Sequence, residues 1–258
     1  MSSTTQESRL VKVETQDYVQ LLILDRSEAL NAFNNALFDA LTEALLAAAD
    51  DNQVRVVVLT GNGRAFSAGA DLTEMNQGLD PPIHGFPGFM DVIIDFPKPF
   101  IVAVNGLGVG IGATICGLAD MAYMAESARL RCPFSSLGVA PEGASTYLFP
   151  LIMGRHKATW FLMSSEWMSA PECLEAGLVM EVLPDDQLMP QVMEKARKLA
   201  AMPLVSLLRT KELMMAPHRE QMKAASDAEI QALADLMGGP ANLEAVAAFK
   251  EKREPDFS

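Results

Sequence analysis

Phe100-Ile101-Val102-Ala103-Val104 runs directly into Asn105-Gly106-Leu107-Gly108-Val109-Gly110-Ile111-Gly112-Ala113-Thr114, and this junction decides the fold. Its first half is wholly apolar and is entered through Pro97-Lys98-Pro99, the composition of a strand buried on both faces. Its second half alternates glycine with small apolar residues, which reads as a tight turn followed by a helix start. The same design occurs earlier. Residues 54–60 form an apolar, β-branched run stopped by Gly61-Asn62-Gly63, and Arg64-Ala65-Phe66-Ser67-Ala68-Gly69-Ala70-Asp71-Leu72 follows. Small residues let a ligand approach the backbone, and a first helical turn offers unpaired N–H groups and the positive end of the dipole. Two such turns would let two amides converge on one oxygen. Tight packing of strand on helix explains either turn taken alone.

Working outward, residues 11–14 alternate apolar and polar, and Val19–Leu24 follows after a turn at Asp17. Residues 34–51 read as a helix, with Leu37, Leu41, Ala44, Leu45 and Ala48 on one face. Met121 to Ala125 reads as a further strand. Strands separated by helices predict a parallel α/β core. Three prolines and three glycines in residues 77–88 predict a long loop. From Pro203 onward only helices are expected, over residues 204–215, 219–237 and 241–251. The division expected is a core over 1–200 and a helical segment over 201–258, which packs on the core or on another subunit.

The 258 residues correspond to one large domain or two small ones at roughly 150 residues each. A hydrophobic share of 50% and a charged share of 21% exclude disorder for most of the chain. Twenty Lys and Arg against 33 Asp and Glu give a net charge of -13, which argues against nucleic acid and anionic membranes as partners. No apolar run reaches the roughly 18 residues of a membrane span, and the polar N-terminus lacks signal-peptide character. A soluble cytoplasmic protein is therefore the expectation. Cys116, Cys132 and Cys173 lack metal spacing, and His84, His156 and His218 are scattered, so no metal is expected. Gly108-Val109-Gly110-Ile111-Gly112-Ala113 also fits a loose dinucleotide pattern with Glu126 as its acid. The short crossover and its late position in the chain argue against that alternative.

The two glycine turns together resemble the crotonase superfamily, also called the enoyl-CoA hydratase/isomerase family. Ala29-Leu30-Asn31-Ala32, Asp120 and Ala176-Gly177-Leu178-Val179 extend the likeness, which runs from about Arg9 to Val182. The resemblance implies a ββα spiral with a helical C-terminal region that assembles trimers or hexamers. It implies an acyl-CoA thioester as ligand, with no cofactor beyond the coenzyme A carried by the substrate. The thioester oxygen would be held by the N–H groups of Ala70 and Ile111, beside Gly110. The CoA end would lie against Ala29 and Ala68, with Asp71, Leu72 and Phe134 completing the substrate site. Glu28 stands where family members often carry Lys or Arg.

Hydratases of this family place one glutamate three residues after the second amide and another directly after the next Pro. Those positions hold Thr114 and Phe134 here. Glu142, in Gly138-Val139-Ala140-Pro141-Glu142-Gly143-Ala144-Ser145-Thr146-Tyr147, resembles instead the single acid/base of the delta-3, delta-2 enoyl-CoA isomerases. Its apolar neighbours would desolvate it and raise its proton affinity. As a purely structural residue it would be an N-terminal acid of a helix over residues 143–148. Asp71 is expected to cap a helix that begins at Leu72, and Met90, Met121, Met124, Met153, Met163 and Met168 to fill the core or line an acyl channel.

Overall fold

The computed structural model describes residues 10–71 and 81–258. Strands β1 (Val11–Gln16) and β2 (Val19–Leu24) form an antiparallel hairpin whose turn residues Asp17 and Tyr18 both have positive φ. Helix α1 (Asn35–Asp50) follows, capped by the Asn34 side chain, which accepts from the Leu37 N–H at 2.9 Å. Its buried face is Leu37, Phe38, Leu41, Leu45 and Ala48.

The chain then winds through two sheets in step. Strand β3 (Val56–Gly61) joins the large sheet, and β4 (Ala65–Ser67) starts a small one before helix α2 (Gly85–Asp95). Strands β5 (Phe100–Val104) and β6 (Leu107–Val109) repeat this before helix α3 (Ile111–Leu118). Strands β7 (Met121–Ala125) and β8 (Arg129–Arg131) repeat it again before helices α4 (Ser145–Met153) and α5 (Arg155–Ser164). The chain closes the small sheet with β9 (Trp167–Ser169), crosses α6 (Ala170–Glu175) and ends the large sheet with β10 (Glu181–Leu183). The orders are β1-β2-β3-β5-β7-β10 and β4-β6-β8-β9, so each coil moves one strand sideways in both sheets. This is the expected ββα spiral. β2, β3, β5, β7 and β10 run parallel. Val56 to Leu59 and Phe100 to Val104 are fully buried, as continuous apolar strands in a covered parallel sheet must be.

Three expectations for helices and loops are corrected. Helix α2 begins inside the region 77–88 that reads as loop. Its Pro87 lies in the first turn, where a missing N–H removes no intrahelical bond. The helix end is capped from outside: the Asp39 carboxylate on α1 accepts from the N–H groups of Ile83, His84 and Gly85 at 2.8–2.9 Å. After helix α7 (Leu188–Ala200), helix α8 runs unbroken over Leu204–Leu236 through Pro217, where two helices are expected. Tertiary anchors on both sides of the proline hold it to the core: Lys211 before it, and Met222, Ser226 and Glu229 after it, are all buried. Helix α4 starts at Ser145 rather than residue 143, because Gly143 and Ala144 both have positive φ. Helix α9 (Pro240–Glu251) ends the fold. Met90, Met124 and Met153 are core residues, whereas Met163 is exposed. All three cysteines are buried and free.

Lys211 ties α8 to the start of β5. Its ammonium donates to the Lys98 carbonyl at 2.9 Å and to Asp120 Oδ2 at 2.7 Å, and the same oxygen accepts from the Phe100 N–H. Asp120 thus closes α3 by holding a strand and a distant helix. Asp120 is itself exposed, but removing it leaves the buried Lys211 ammonium without its partner. Asp120→Ala is predicted to lower unfolding free energy by about 3 kcal/mol in urea titrations; a loss below about 1 kcal/mol, the range of an exposed pair, would contradict this.

Candidate active site

The two glycine turns meet because their strands are neighbours. β4 and β6 pair in parallel, Ala65 against Leu107 and Ser67 against Gly108, so both turns leave the small sheet at the same edge. At the entry ends of these strands Asn105 ties the two connections together: its Oδ1 accepts from the Gly61 N–H at 3.1 Å and its Nδ2 donates to the Gly63 carbonyl at 3.0 Å. Gly69 has φ +87°, and a Cβ there would stand 2.7 Å from the Val109 carbonyl oxygen. A Cβ on Gly110 (φ +54°) would stand 3.9 Å from the Gly69 Cα. The two backbones are therefore in contact where each turn points its next peptide.

Those next peptides carry Ala70 and Ile111. Phe33 donates its N–H to the Gly69 carbonyl and accepts from the Asp71 N–H, at 2.7 and 2.9 Å. Ala70, between them in the bridge to Phe33, turns its own N–H to the opposite side. Ile111 is the first residue of α3, and its N–H has no acceptor within the helix. The Ala70 residue is exposed, so this edge opens to solvent.

The segment Ala29 to Asn31 packs against the first turn. The Ala68 N–H donates to the Leu30 carbonyl at 2.9 Å, and Ser67 Oγ donates to the Asn31 carbonyl at 2.9 Å. Leu30 and Asn31 have φ of 53° and 56°, and the fully buried Asn31 amide donates to the Asn62 and Ala65 carbonyls, both at 2.9 Å. Ala68 is thus held to Leu30, the residue after Ala29, and both alanines are half-buried. Asp71 pairs with Arg26 at 3.1 Å, with both side chains nearly buried. Leu72, and the helix expected to begin there, lie outside the described residues.

Glu142 is tied to α3, the helix that leaves the second turn. Its Oε1 accepts from the Thr114 hydroxyl at 2.9 Å, and its Oε2 is buried with no protein partner. Thr114 stands three residues beyond Ile111 on α3, about 4.5 Å of helix rise. The close contact requires Gly143, whose φ is +76° and whose Cβ would lie 2.6 Å from Thr114 Oγ1. Burial pushes the Glu142 carboxyl up to about 8; the Thr114 bond opposes the shift and the charge of Glu229 adds to it. Because α4 begins at Ser145, Glu142 is not the N-terminal acid of that helix. Glu229 of α8 has that position instead, accepting from the Thr146 N–H at 2.8 Å and from its hydroxyl at 2.6 Å. Phe134 is buried beside Pro133, and its carbonyl accepts from the Val139 N–H, which folds the approach to Glu142.

Of the sequence-derived positions, Ala29, Ala68, Ala70, Asp71, Gly110 and Ile111 come together at the turn edge, with Glu142 held one helical turn away. Thr114 was legible only as a missing glutamate, and its hydroxyl contact was not. Glu229 and Thr146 gave no signal, since their contact spans 83 residues. Among the described residues no group of His, Cys, Asp and Glu could hold a metal ion, and no helix is long and apolar enough to cross a membrane.

The scaffold thus brings two glycine turns to one edge of a small parallel sheet and holds a buried carboxyl against the helix that leaves the second of them. Residues 14–258 match the family model described as enoyl-CoA hydratase/isomerase, and the chain belongs to that family. It is 36% identical over 229 residues to human enoyl-CoA delta isomerase 2, covering 86% of this chain and 58% of that protein. It is 34% identical over 247 residues to the 2,3-dehydroadipyl-CoA hydratase of Escherichia coli, covering 95% and 97% of the two. A crystal structure of an enoyl-CoA hydratase/isomerase from Pseudoalteromonas atlantica superposes with a TM-score of 0.92 at 34% identity, over 96% of this chain and 100% of that one. An enoyl-CoA hydratase from Mycobacterium marinum is 51% identical, with a TM-score of 0.78 over 81% of this chain and 100% of that one.

The raised carboxyl has a stability consequence. Native Glu142 keeps its proton up to about 8, whereas an unfolded glutamate releases it near 4.5. Between these values the unfolded chain binds fewer protons, so stability falls as pH rises through that window and is highest below it. Glu142→Gln is predicted to flatten this fall. Urea midpoints measured near pH 4.5 and near pH 8 check it; equal slopes in the two proteins would contradict the assignment.

Proposed function

We propose that the protein isomerises 3-enoyl-CoA to 2-enoyl-CoA, with Glu142 as the single proton shuttle and the Ala70 and Ile111 N–H groups holding the enolate oxygen. The observation that carries this reading is the Glu142 carboxylate itself: one oxygen fixed by Thr114, the other buried and unpartnered. Its neighbours at the two hydratase positions, Thr114 and Phe134, carry no second carboxyl to activate water. The likeness to an enoyl-CoA delta isomerase supports the same reaction, and the likeness to hydratases makes water addition the reading to test against it.

In this mechanism Glu142 Oε2 takes a proton from C2 of the 3-enoyl thioester. The C2–H bond breaks, an O–H bond forms, and the electron pair moves through the carbon chain to the thioester oxygen. Each backbone donor to that oxygen is worth roughly 3 kcal/mol of barrier. The same carboxyl then returns its proton to C4, the charge flows back, and the double bond lies between C2 and C3. No water enters the balance. A carboxyl whose proton affinity sits near neutral pH suits both directions of transfer.

Glu142→Gln keeps shape and removes the base. It is predicted to lower kcat for isomerisation by about 10²–10⁴-fold with little change in acyl-CoA affinity. Chromatography of products from 3-enoyl-CoA and 2-enoyl-CoA separates the reactions: 3-hydroxyacyl-CoA as the main product would replace isomerisation with hydration. Full activity in the variant would remove Glu142 from the mechanism.

A homotrimer or hexamer is also proposed. Val205, Leu213 and Met214 on α8 and Leu243 on α9 are exposed by 60% or more in the single chain, which supports a partner surface there. Light scattering is expected to give a multiple of 27.9 kDa; a monomer at micromolar concentration would contradict it.

A further inference from the structure

Five side-chain polar atoms among the described residues are buried without a protein partner, and three of them surround the first turn of α4: Glu142 Oε2, Ser145 Oγ and Glu229 Oε2. The residues that carry them are 9%, 0% and 4% exposed. Two of the three are carboxylates from distant parts of the chain. Glu229 is brought in by α8, and its Oε1 accepts both donors of Thr146 while its Oε2 is left buried and unpartnered.

Capping α4 explains half of this arrangement. An acceptor at the helix N-terminus satisfies unpaired N–H groups and meets the positive dipole end. A cap, however, needs only one oxygen and no charge; an amide would serve. It does not account for a second carboxyl oxygen held away from water, near the carboxylate that the reaction would use. Two buried carboxyl groups within electrostatic reach do not ionise independently: the first proton leaves one member, and the second is then held more tightly by the pair.

We propose that Glu229 is a positioning residue of the proton-transfer site, its charge acting across the first turn of α4 to set the base strength of Glu142, so that the pair titrates as one unit. This rests on the reading of Glu142 as the base. Burial pushes the Glu229 carboxyl up, against the two Thr146 bonds that lower it, and the charge of Glu229 adds to the upward shift of Glu142. Other titratable and charged groups on the surrounding elements include Cys116 on α3, Cys132 after β8, Tyr147 on α4, and His218, Arg219, Lys223 and Asp227 on α8, of which Arg219 and Lys223 pair with Asp95. Both thiols are driven up by burial, and Tyr147 Oη and His218 Nδ1 are bonded to each other at 2.9 Å. Among these groups, Glu142 and Glu229 are the two carboxyls that flank the first turn of α4 with an oxygen buried and unpartnered.

The test is a carbon-13 NMR titration of the glutamate carboxyls in the intact wild-type protein, with pH profiles of kcat/KM for Glu229→Gln and Glu229→Asp. In the wild type, the Glu142 and Glu229 signals are each expected to move in two steps with shared midpoints. Glu229→Gln keeps the acceptor for Thr146 and removes the charge. It is expected to move the Glu142 midpoint, and the acid limb of kcat/KM, down by about one pH unit with KM unchanged, while Glu229→Asp stays near the wild type. Independent single-step curves in the wild type would overturn the proposal, even if the variants fail to fold. An unmoved Glu142 midpoint in Glu229→Gln would also overturn it and leave Glu229 as a cap. If Glu142→Gln remains fully active while the coupled titration is present, the base assignment is what fails, and the carboxyl pair stands as a shared proton site.

Discussion

The contact between the backbones at Gly69 and Gly110 is the constraint on which the rest of this structure depends. Two strands must run parallel and adjacent, two turns must leave them at the same edge, and the first turn has no room for a side chain at Gly69 while the second needs the positive φ of Gly110. A parallel pair cannot be joined by a short loop, so each strand needs a crossover before its neighbour is reached. The repeated coil of two strands and a helix is the arrangement that meets all these conditions. Asn105, tying together the connections that enter the two strands, and Asn31, holding the entry loop, are polar groups turned inward to satisfy backbone atoms that the tight geometry would otherwise strand.

Against this rigid edge, Glu142 is a balance of opposing effects with a clear winner. One hydroxyl bond favours the charged carboxylate, and burial with a neighbouring acid disfavours it. A net hydrogen bond is worth about 1 kcal/mol, whereas removing an ion from water costs several even after relaxation. Desolvation therefore prevails, and the carboxyl retains its proton far above its ordinary range. The backbone reflects the same tension: Ala144 holds a left-handed conformation, costing roughly 1–2 kcal/mol, so that the turn can deliver Glu142 before the helix starts.

Much of this was legible in the residues. Val19–Leu24, Phe100–Val104 and Met121–Ala125 have the bounds their apolar runs suggest, because buried strands are defined by local composition. Both glycine turns could be read, since glycine spacing reports backbone needs directly. What escaped had its cause elsewhere in the chain. Helix α2 begins among prolines because Asp39 caps it from α1, and α8 passes Pro217 because Lys211 and Glu229 hold it to the core on either side. Periodicity and propensity are local signals, and these partners are not local: Asp39 lies 46 residues from Gly85, and Lys211 lies 91 residues from Asp120.

The distant anchoring of α8 also has a consequence in chain entropy. The contact between Lys211 and the Lys98 carbonyl closes a span of 113 residues, and that between Glu229 and Thr146 a span of 83. Ordering so long a loop is unfavourable until the contacts at its ends repay it, so such pairings form late. A chain emerging from the ribosome would assemble its sheets and both glycine turns while the first turn of α4 still lacked its acceptor. The acceptor that α8 supplies to Thr146 is thus synthesised long after the sheets and glycine turns it packs beside.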